Sequence, residues 1–538
     1  MESGGRSAIE PALRRRVSDM PGRARWLVAV DDRTALWAAA LGACAIVVAG
    51  VVLGAILNIW GDEAFTLWTT GAGPLEAWGR VVRFEDQPPL YFVIEACWRL
   101  ANETSIAFAR LPSVFFAAAT VAVIVLAMHR IAPRFPPALV ALLSALNPVF
   151  VWAAAEMRVY ALVLFVGAAL SWSFVEAFLL APRSRRARVV YTLVALAGLY
   201  TQYYVGFVLL AQCLVLVAMR RSVLRGFIVS MALVALGFAP FARVAMIDVE
   251  ASGPFVSHVS FLKAAHELAN VAFAFILPHD INWSGSVKLA GFALAAILIA
   301  TLFAVGRPVL RGSPARAAVL QWVFCLAVFT LLFAFSGVPL DPMRHLMVLF
   351  PPSVILSVVL LAGLTRRRLV TVAAGVVVFA VFAGTSLWES YRPPLAKLGD
   401  WQRVATFLAA TDPAVPIAVF PAESALPLHV YLPRTTIPIP RPMPFSLDYV
   451  GATTLHSEAD VAQVLDPLRS VSPNFWLVTK DECPAANVSV YAYNCGYLEA
   501  YLQNRYRLVR RVEFRGSVAR LFERLAPVSS LQPVHDGD

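Results

Sequence analysis

Four carboxylates stand close together just after the first long apolar run, in Trp60-Gly61-Asp62-Glu63-Ala64-Phe65 and in Phe84-Glu85-Asp86-Gln87-Pro88-Pro89-Leu90-Tyr91. Carboxylates gathered at an apolar boundary lose hydration and repel one another, so such a group exists for a proton or a cation. General base, metal ligand and coupling-ion site are the three uses open to them. Glu156 and Arg158 follow the third apolar run, and Asp341-Pro342-Met343-Arg344-His345 opens a later one. A guanidinium at the mouth of a span suits an anion, and phosphate is the natural partner because Arg binds it bidentately. Each feature also has a plainer reading. Asp62-Glu63 can mark a helix end, Glu156 and Arg158 can form an interfacial pair, Arg344 can snorkel or pair with Asp341, and Tyr200-Thr201-Gln202-Tyr203-Tyr204 can be an aromatic belt. His258, His266 and His279 lack metal-ligand spacing.

The elements that position these residues are membrane helices. The 538 residues are 59% hydrophobic and 15% charged, against about 25% charged in a soluble chain. A span needs ~20 apolar residues, and about eleven runs qualify: near 36–58, 111–128, 137–153, 160–180, 189–203, 205–219, 226–243, 287–305, 317–336, 345–363 and 369–387. Pro88 to Leu100 is apolar but short, and reads as a juxtamembrane helix. The formal charge of +11 does not indicate nucleic acid, because Arg clusters fill every second loop: His129-Arg130 with Arg134, Arg183 to Arg188, Arg220 to Arg225, Arg307 to Arg316, and Arg366-Arg367-Arg368. That alternation is what the positive-inside rule produces. It puts the N-terminal tail in the cytoplasm and the acidic loop, Glu156, Tyr203 and Arg344 outside. The basic tail precedes an apolar run too long for a signal peptide, so it reads as retained.

Composition becomes ordinary near residue 390. Trp401 opens a helical pattern, Ile417-Ala418-Val419-Phe420 and Phe475-Trp476-Leu477-Val478 read as buried strands, Leu498 to Gln503 as a helix, and Tyr506 to Phe514 with Ser517 to Phe522 as paired strands. The expected organisation is a tail over 1–35, a membrane domain over 36–389 with its first outer loop at 59–110, and a soluble α/β domain over 390–538. Cys44, Cys97, Cys213 and Cys325 lie in apolar runs and read as core residues. Cys483 and Cys495, in the polar part, can form a disulfide if that part is extracytoplasmic.

The motif series resembles the GT-C glycosyltransferases. It comprises the acidic pair ending the first span, acid-x-Pro-Pro-Leu-Tyr, Arg110-Leu111-Pro112-Ser113, Glu156-x-Arg158-x-Tyr160-Ala161-Leu162, Tyr200-Thr201-Gln202-Tyr203, and Arg344-His345-Leu346 with Pro351. The nearest groups are the bacterial relatives of dolichyl-phosphate-mannose protein mannosyltransferases and of the lipid A aminoarabinose transferase. The series covers residues 60 to about 352 in the family's order. Gln87 stands where the aminoarabinose transferase has a basic residue. The resemblance implies a polytopic α-helical fold of GT-C type, with about eleven spans and a C-terminal extracytoplasmic α/β domain. It also implies a sugar donor linked to a polyprenyl monophosphate. The acceptor would be an envelope glycan, a lipid or a protein, reached from the inner membrane's outer face. Asp62 would be the general base, with Glu63, Asp86 and Glu156 as further catalytic carboxylates. Asp86 and Glu156 would also hold a divalent cation where one is used. Arg158, Arg344 and His345 would bind the donor phosphate, and Gln87, Tyr91, Tyr160 and Tyr203 would contact substrate. Two other readings are a secondary transporter or flippase and a non-catalytic scaffold. A transporter needs its acids near mid-membrane, whereas here they gather at one face.

Overall fold

The computed structural model describes residues 31–85, 87–133, 135–251, 312–336, 346–362, 397, 399–480 and 493–525. Of the sequence candidates, Asp86, Asp341, Arg344, His345, Cys483, the three loop histidines and the spans near 287–305 and 369–387 lie outside the described residues. The chain divides into two compact units, one of residues 1–55 with 87–392 and the other of 56–86 with 393–538.

The first unit is a bundle of apolar helices. Four helices among the described residues are long and apolar enough to cross a membrane, at Asp32–Ile56, Ile106–Ile131, Tyr160–Leu180 and Arg221–Ile247. The chain is thus a polytopic α-helical membrane protein; the count of eleven spans remains the sequence's own. We label α1 Asp32–Ile56, α4 Leu90–Arg99, α5 Leu111–Ile131 and α8 Tyr160–Val175, with α2, α3, α6 and α7 defined below. Helix α8 is buried on nearly every face, as expected of a helix apolar all round. It packs against α5, against Arg185–Leu199 and against Phe350–Ala362. A Cβ on its Gly167 would stand 2.7 Å from the carbonyl oxygen of Val348, so only glycine lets the Leu346–Leu349 turn lie against it. Leu36, Trp37, Leu41 and Val48 of α1 are exposed, which marks a lipid-facing surface.

Two apolar runs depart from simple spans. The run expected near 137–153 is broken into α6 Pro137–Ala145 and α7 Pro148–Ala154. Leu146 closes the first and Asn147 caps the second, its side chain accepting the Val149 N–H at 3.0 Å, and Pro148 has no N–H with which to continue a helix. The stretch at Pro88–Leu100 is the ten-residue helix α4. At 1.5 Å per residue it is about 15 Å long, half a hydrocarbon core of ~30 Å. The cysteines also differ from expectation. Cys325 is buried, but Cys44 and Cys97 are exposed and Cys213 is intermediate.

The second unit is built on a five-stranded sheet of order β2-β1-β3-β5-β4. Its strands are β1 Ile417–Phe420, β2 Thr436–Pro438, β3 Asn474–Thr479, β4 Tyr506–Phe514 and β5 Ser517–Arg524. β1 runs parallel to both neighbours, and β5 antiparallel to β3 and β4. Central β1 is buried at every position, which is why its sequence is a continuous apolar run rather than an alternating one. The helix Trp401–Ala409 covers the sheet through Trp401, Val404, Ala405 and Leu408.

Two helices of the first loop belong to this same unit: α2 Gly61–Thr70 and α3 Pro74–Phe84. In α3, Ala77, Val81 and Phe84 form the buried face, while Glu76 pairs with Arg80 and Arg83 on the solvent side. Phe65 and Phe84 cluster with Ala422 and Met443, flanked by Trp68, Phe445 and Tyr449. The Trp68 and Phe445 rings stack with centroids 3.6 Å apart. Aromatic pairs contribute about 0.5–1.5 kcal/mol each beyond their buried area, so this cluster is a substantial tie between the acidic loop and the 443–449 segment.

Candidate active site

Asp62 and Glu63 occupy the first turn of α2. Trp60 precedes it in extended conformation and supplies no side-chain cap. Both carboxylates thus stand at the positive end of a helix dipole. The two side chains nevertheless differ. Asp62 is half-buried, whereas Glu63 is fully buried. A Cβ on Gly61 would meet no atom within 4 Å, so the helix start is open on that side. Glu63 Oε2 lies 2.9 Å from Lys397 Nζ, with side-chain exposures of 0% and 8%.

The stretch before α2 is held by the same part of the chain. The Lys397 N–H donates to Asn58 Oδ1 at 2.8 Å, and Asn58 Nδ2 donates to the Ile59 carbonyl at 2.7 Å. The Ile59 N–H donates to the Tyr431 hydroxyl at 2.8 Å. Glu85 is buried and accepts from Thr69 Oγ1 at 2.8 Å. The carboxylates at 62, 63 and 85 therefore stand on one small scaffold of the second unit, with only Asp62 and Glu63 at the helix start.

The other candidates lie in the first unit, around the turn between α7 and α8. Glu156, Arg158 and Tyr160 are all buried there. The Arg158 guanidinium sits 5.7 Å from the Phe92 ring centroid, and its backbone carbonyl accepts from Ser113 Oγ at 3.4 Å. Ser113 Oγ in turn lies 3.3 Å from the hydroxyl of Tyr91. The Leu90 N–H donates to the Tyr200 carbonyl at 2.9 Å, which ties the start of α4 to the Tyr200–Tyr204 turn. Tyr91 is fully buried and Tyr160 packs on Trp152 with ring centroids 4.9 Å apart. Gln87 and Tyr203 are half-buried.

Lys397, Asn58 and Glu95 were not among the sequence candidates. Glu95 on α4, outside the spans, is fully buried. Burial pushes its carboxyl up to about 8, opposed only in part by the charge of Arg99 and the hydroxyl of Tyr91. As for metals, no group of three or more His, Cys, Asp or Glu side chains is placed to hold one among the described residues. Glu156 is thus without a ligand set there.

Among solved structures, ArnT from Cupriavidus metallidurans in the apo state matches with TM-score 0.54 and 14% identity, over 90% of this chain and 97% of that one. The same protein bound to undecaprenyl phosphate matches with TM-score 0.53 and 13% identity, over the same shares. At such identity the likeness establishes the fold, which is the GT-C fold that the motif series resembles. No family model and no curated protein matches the sequence.

Proposed function

We propose that the chain is a membrane glycosyltransferase that moves a sugar from a polyprenyl-monophosphate donor to an acceptor outside the cytoplasmic membrane. One observation carries this reading: the fold is shared over 90% of the chain with ArnT, a protein solved with undecaprenyl phosphate. Fold alone does not fix chemistry, and the acidic helix start supplies what the reaction needs. Asp62 is the carboxylate at that start that is not buried. It acts as general base.

As the acceptor oxygen or nitrogen attacks the anomeric carbon, the bond from that carbon to the phosphate oxygen breaks. Its electron pair leaves with the polyprenyl phosphate, and the acceptor proton passes to Asp62. The leaving group is already a stable phosphate monoester, so the protein's task is alignment and charge neutralisation. Arg158, with Arg344 and His345, neutralises the phosphate. Glu156 serves as a further catalytic carboxylate, and Gln87 and Tyr203 contact the sugar or lipid. A single base with no covalent partner implies inversion at the anomeric carbon. The active face is extracytoplasmic, a reading supported by the alternation of Arg-rich loops and by the disulfide at Cys495, which belongs to oxidising compartments.

The test is mass spectrometry of envelope lipids and glycans from a deletion strain complemented with wild type or Asp62→Asn. One glycoconjugate should lose a single sugar, restored by wild type alone. Full restoration by Asp62→Asn removes Asp62 as base. An unchanged envelope with a mislocalised lipid-linked solute replaces the reading with transport.

A further inference from the structure

Glu63 adjoins the proposed base but is the wrong residue to share its work. Its carboxylate is wholly inside the protein and held at 2.9 Å by an ammonium that is itself buried. A buried charge is tolerated only with a partner, so the pair is a fixed joint rather than a proton acceptor. The joint has a second fastening: the backbone N–H of the same Lys397 holds the Asn58 side chain. Residue 397 therefore grips the chain on both sides of Trp60-Gly61-Asp62, once at position 58 and once at position 63. Asp62, in the first turn of α2, lies between those two points.

We infer that Lys397 is a positioning residue for the transfer reaction, and that Glu63 serves as its anchor on α2. The inference rests on the reading of Asp62 as general base. The two grips fix the direction of the first turn and so aim the Asp62 carboxylate. A base displaced by ~1 Å can lose on the order of 10²-fold in rate.

The experiment compares variants in the deletion strain and as purified full-length protein in nanodiscs. Two quantities are read: the initial rate at which the lost glycoconjugate reappears after induction, and the affinity for undecaprenyl phosphate. Lys397→Met should slow transfer at least tenfold while undecaprenyl phosphate affinity stays within about twofold, and Lys397→Arg should restore transfer to within about threefold of wild type. If Lys397→Met fails to fold, Glu63→Gln combined with Lys397→Met removes both charges and leaves no lone buried ion. That double variant should keep phosphate binding and still transfer at least tenfold more slowly. Transfer within twofold of wild type in either variant overturns the inference, and so does a loss that tracks lost binding and is not rescued by arginine. Asp62→Asn in the same assay separates the two readings. If it transfers normally, the general-base assignment fails; if it is inactive while Lys397→Met is normal, only the positioning role fails.

Discussion

Glu63 and Lys397, 334 positions apart in the chain, meet at 2.9 Å inside the second unit. The pair fastens the first loop to the start of the C-terminal domain. Because both groups are desolvated, removing one partner strands the other. Lys397→Met should cost about 3–5 kcal/mol, and the double variant Glu63→Gln/Lys397→Met clearly less. A double-mutant cycle on thermal unfolding in detergent reads the coupling; additive losses would mean that the pair carries none.

Glu95 gives the protein a pH-dependent stability of unusual sign. Its folded carboxyl is raised to about 8 from an ordinary 4.5. Between those values the folded state holds a proton that the unfolded state has lost. The contribution is full below pH 4.5 and is lost progressively as pH rises to about 8, at up to ~1.4 kcal/mol per pH unit. Thermal unfolding followed from pH 5 to pH 8.5 should show wild type losing stability relative to Glu95→Gln. Parallel curves would mean that Glu95 is not the group responsible.

Much of this architecture was legible in the sequence, and the residues that escaped did so for a physical reason. Ile417–Phe420 and Phe475–Val478 are buried apolar runs of strand length, and each is a strand. The Pro88–Leu100 stretch was too short to span and is the short helix α4. What periodicity could not convey is pairing at a distance. Trp68 on Phe445 and Glu63 on Lys397 leave no local mark, so the acidic loop read as part of the membrane domain although residues 56–86 pack with 393–538. One signal was available. Lys397 is one of four lysines in a chain that otherwise uses arginine for positive charge. The break at Asn147-Pro148 was also visible, but hydrophobicity outweighed it.

Gly167 tests the packing of α8. An alanine there would push its Cβ to within 2.7 Å of a backbone carbonyl oxygen, which cannot rotate away as a side chain can. Gly167→Ala should destabilise the detergent-solubilised protein by about 1–3 kcal/mol. Gly206→Ala on Val205–Met219 is the control, since its nearest neighbour is a Leu199 methyl at 3.8 Å. Equal melting temperatures for the two variants would contradict the close approach.

The disulfide at Cys495 offers a test of both stability and topology. Reduction, or Cys495→Ser, should lower the stability of the C-terminal unit by about 2–4 kcal/mol. In intact spheroplasts a membrane-impermeant maleimide should label that unit only after a reductant has been added. Labelling only after lysis would put the domain in the cytoplasm and reverse the proposed orientation, whereas labelling of intact spheroplasts without reduction would keep the domain outside and remove the disulfide.

Arg158 decides whether the buried polar turn after α7 serves the donor phosphate. Its guanidinium lies inside the bundle against Phe92, where a phosphate oxygen pair would find a bidentate partner little weakened by water. Undecaprenyl phosphate at 100 times its Kd should stabilise wild type by about 2.7 kcal/mol. Arg158→Ala should lose most of that stabilisation, and Arg158→Lys should keep part of it, because an ammonium retains the charge without the fork. The comparison is made on the ligand-induced shift in melting temperature, so a general loss of stability in the alanine variant does not enter. A full shift in Arg158→Ala would remove Arg158 from the phosphate site and leave its charge a structural one.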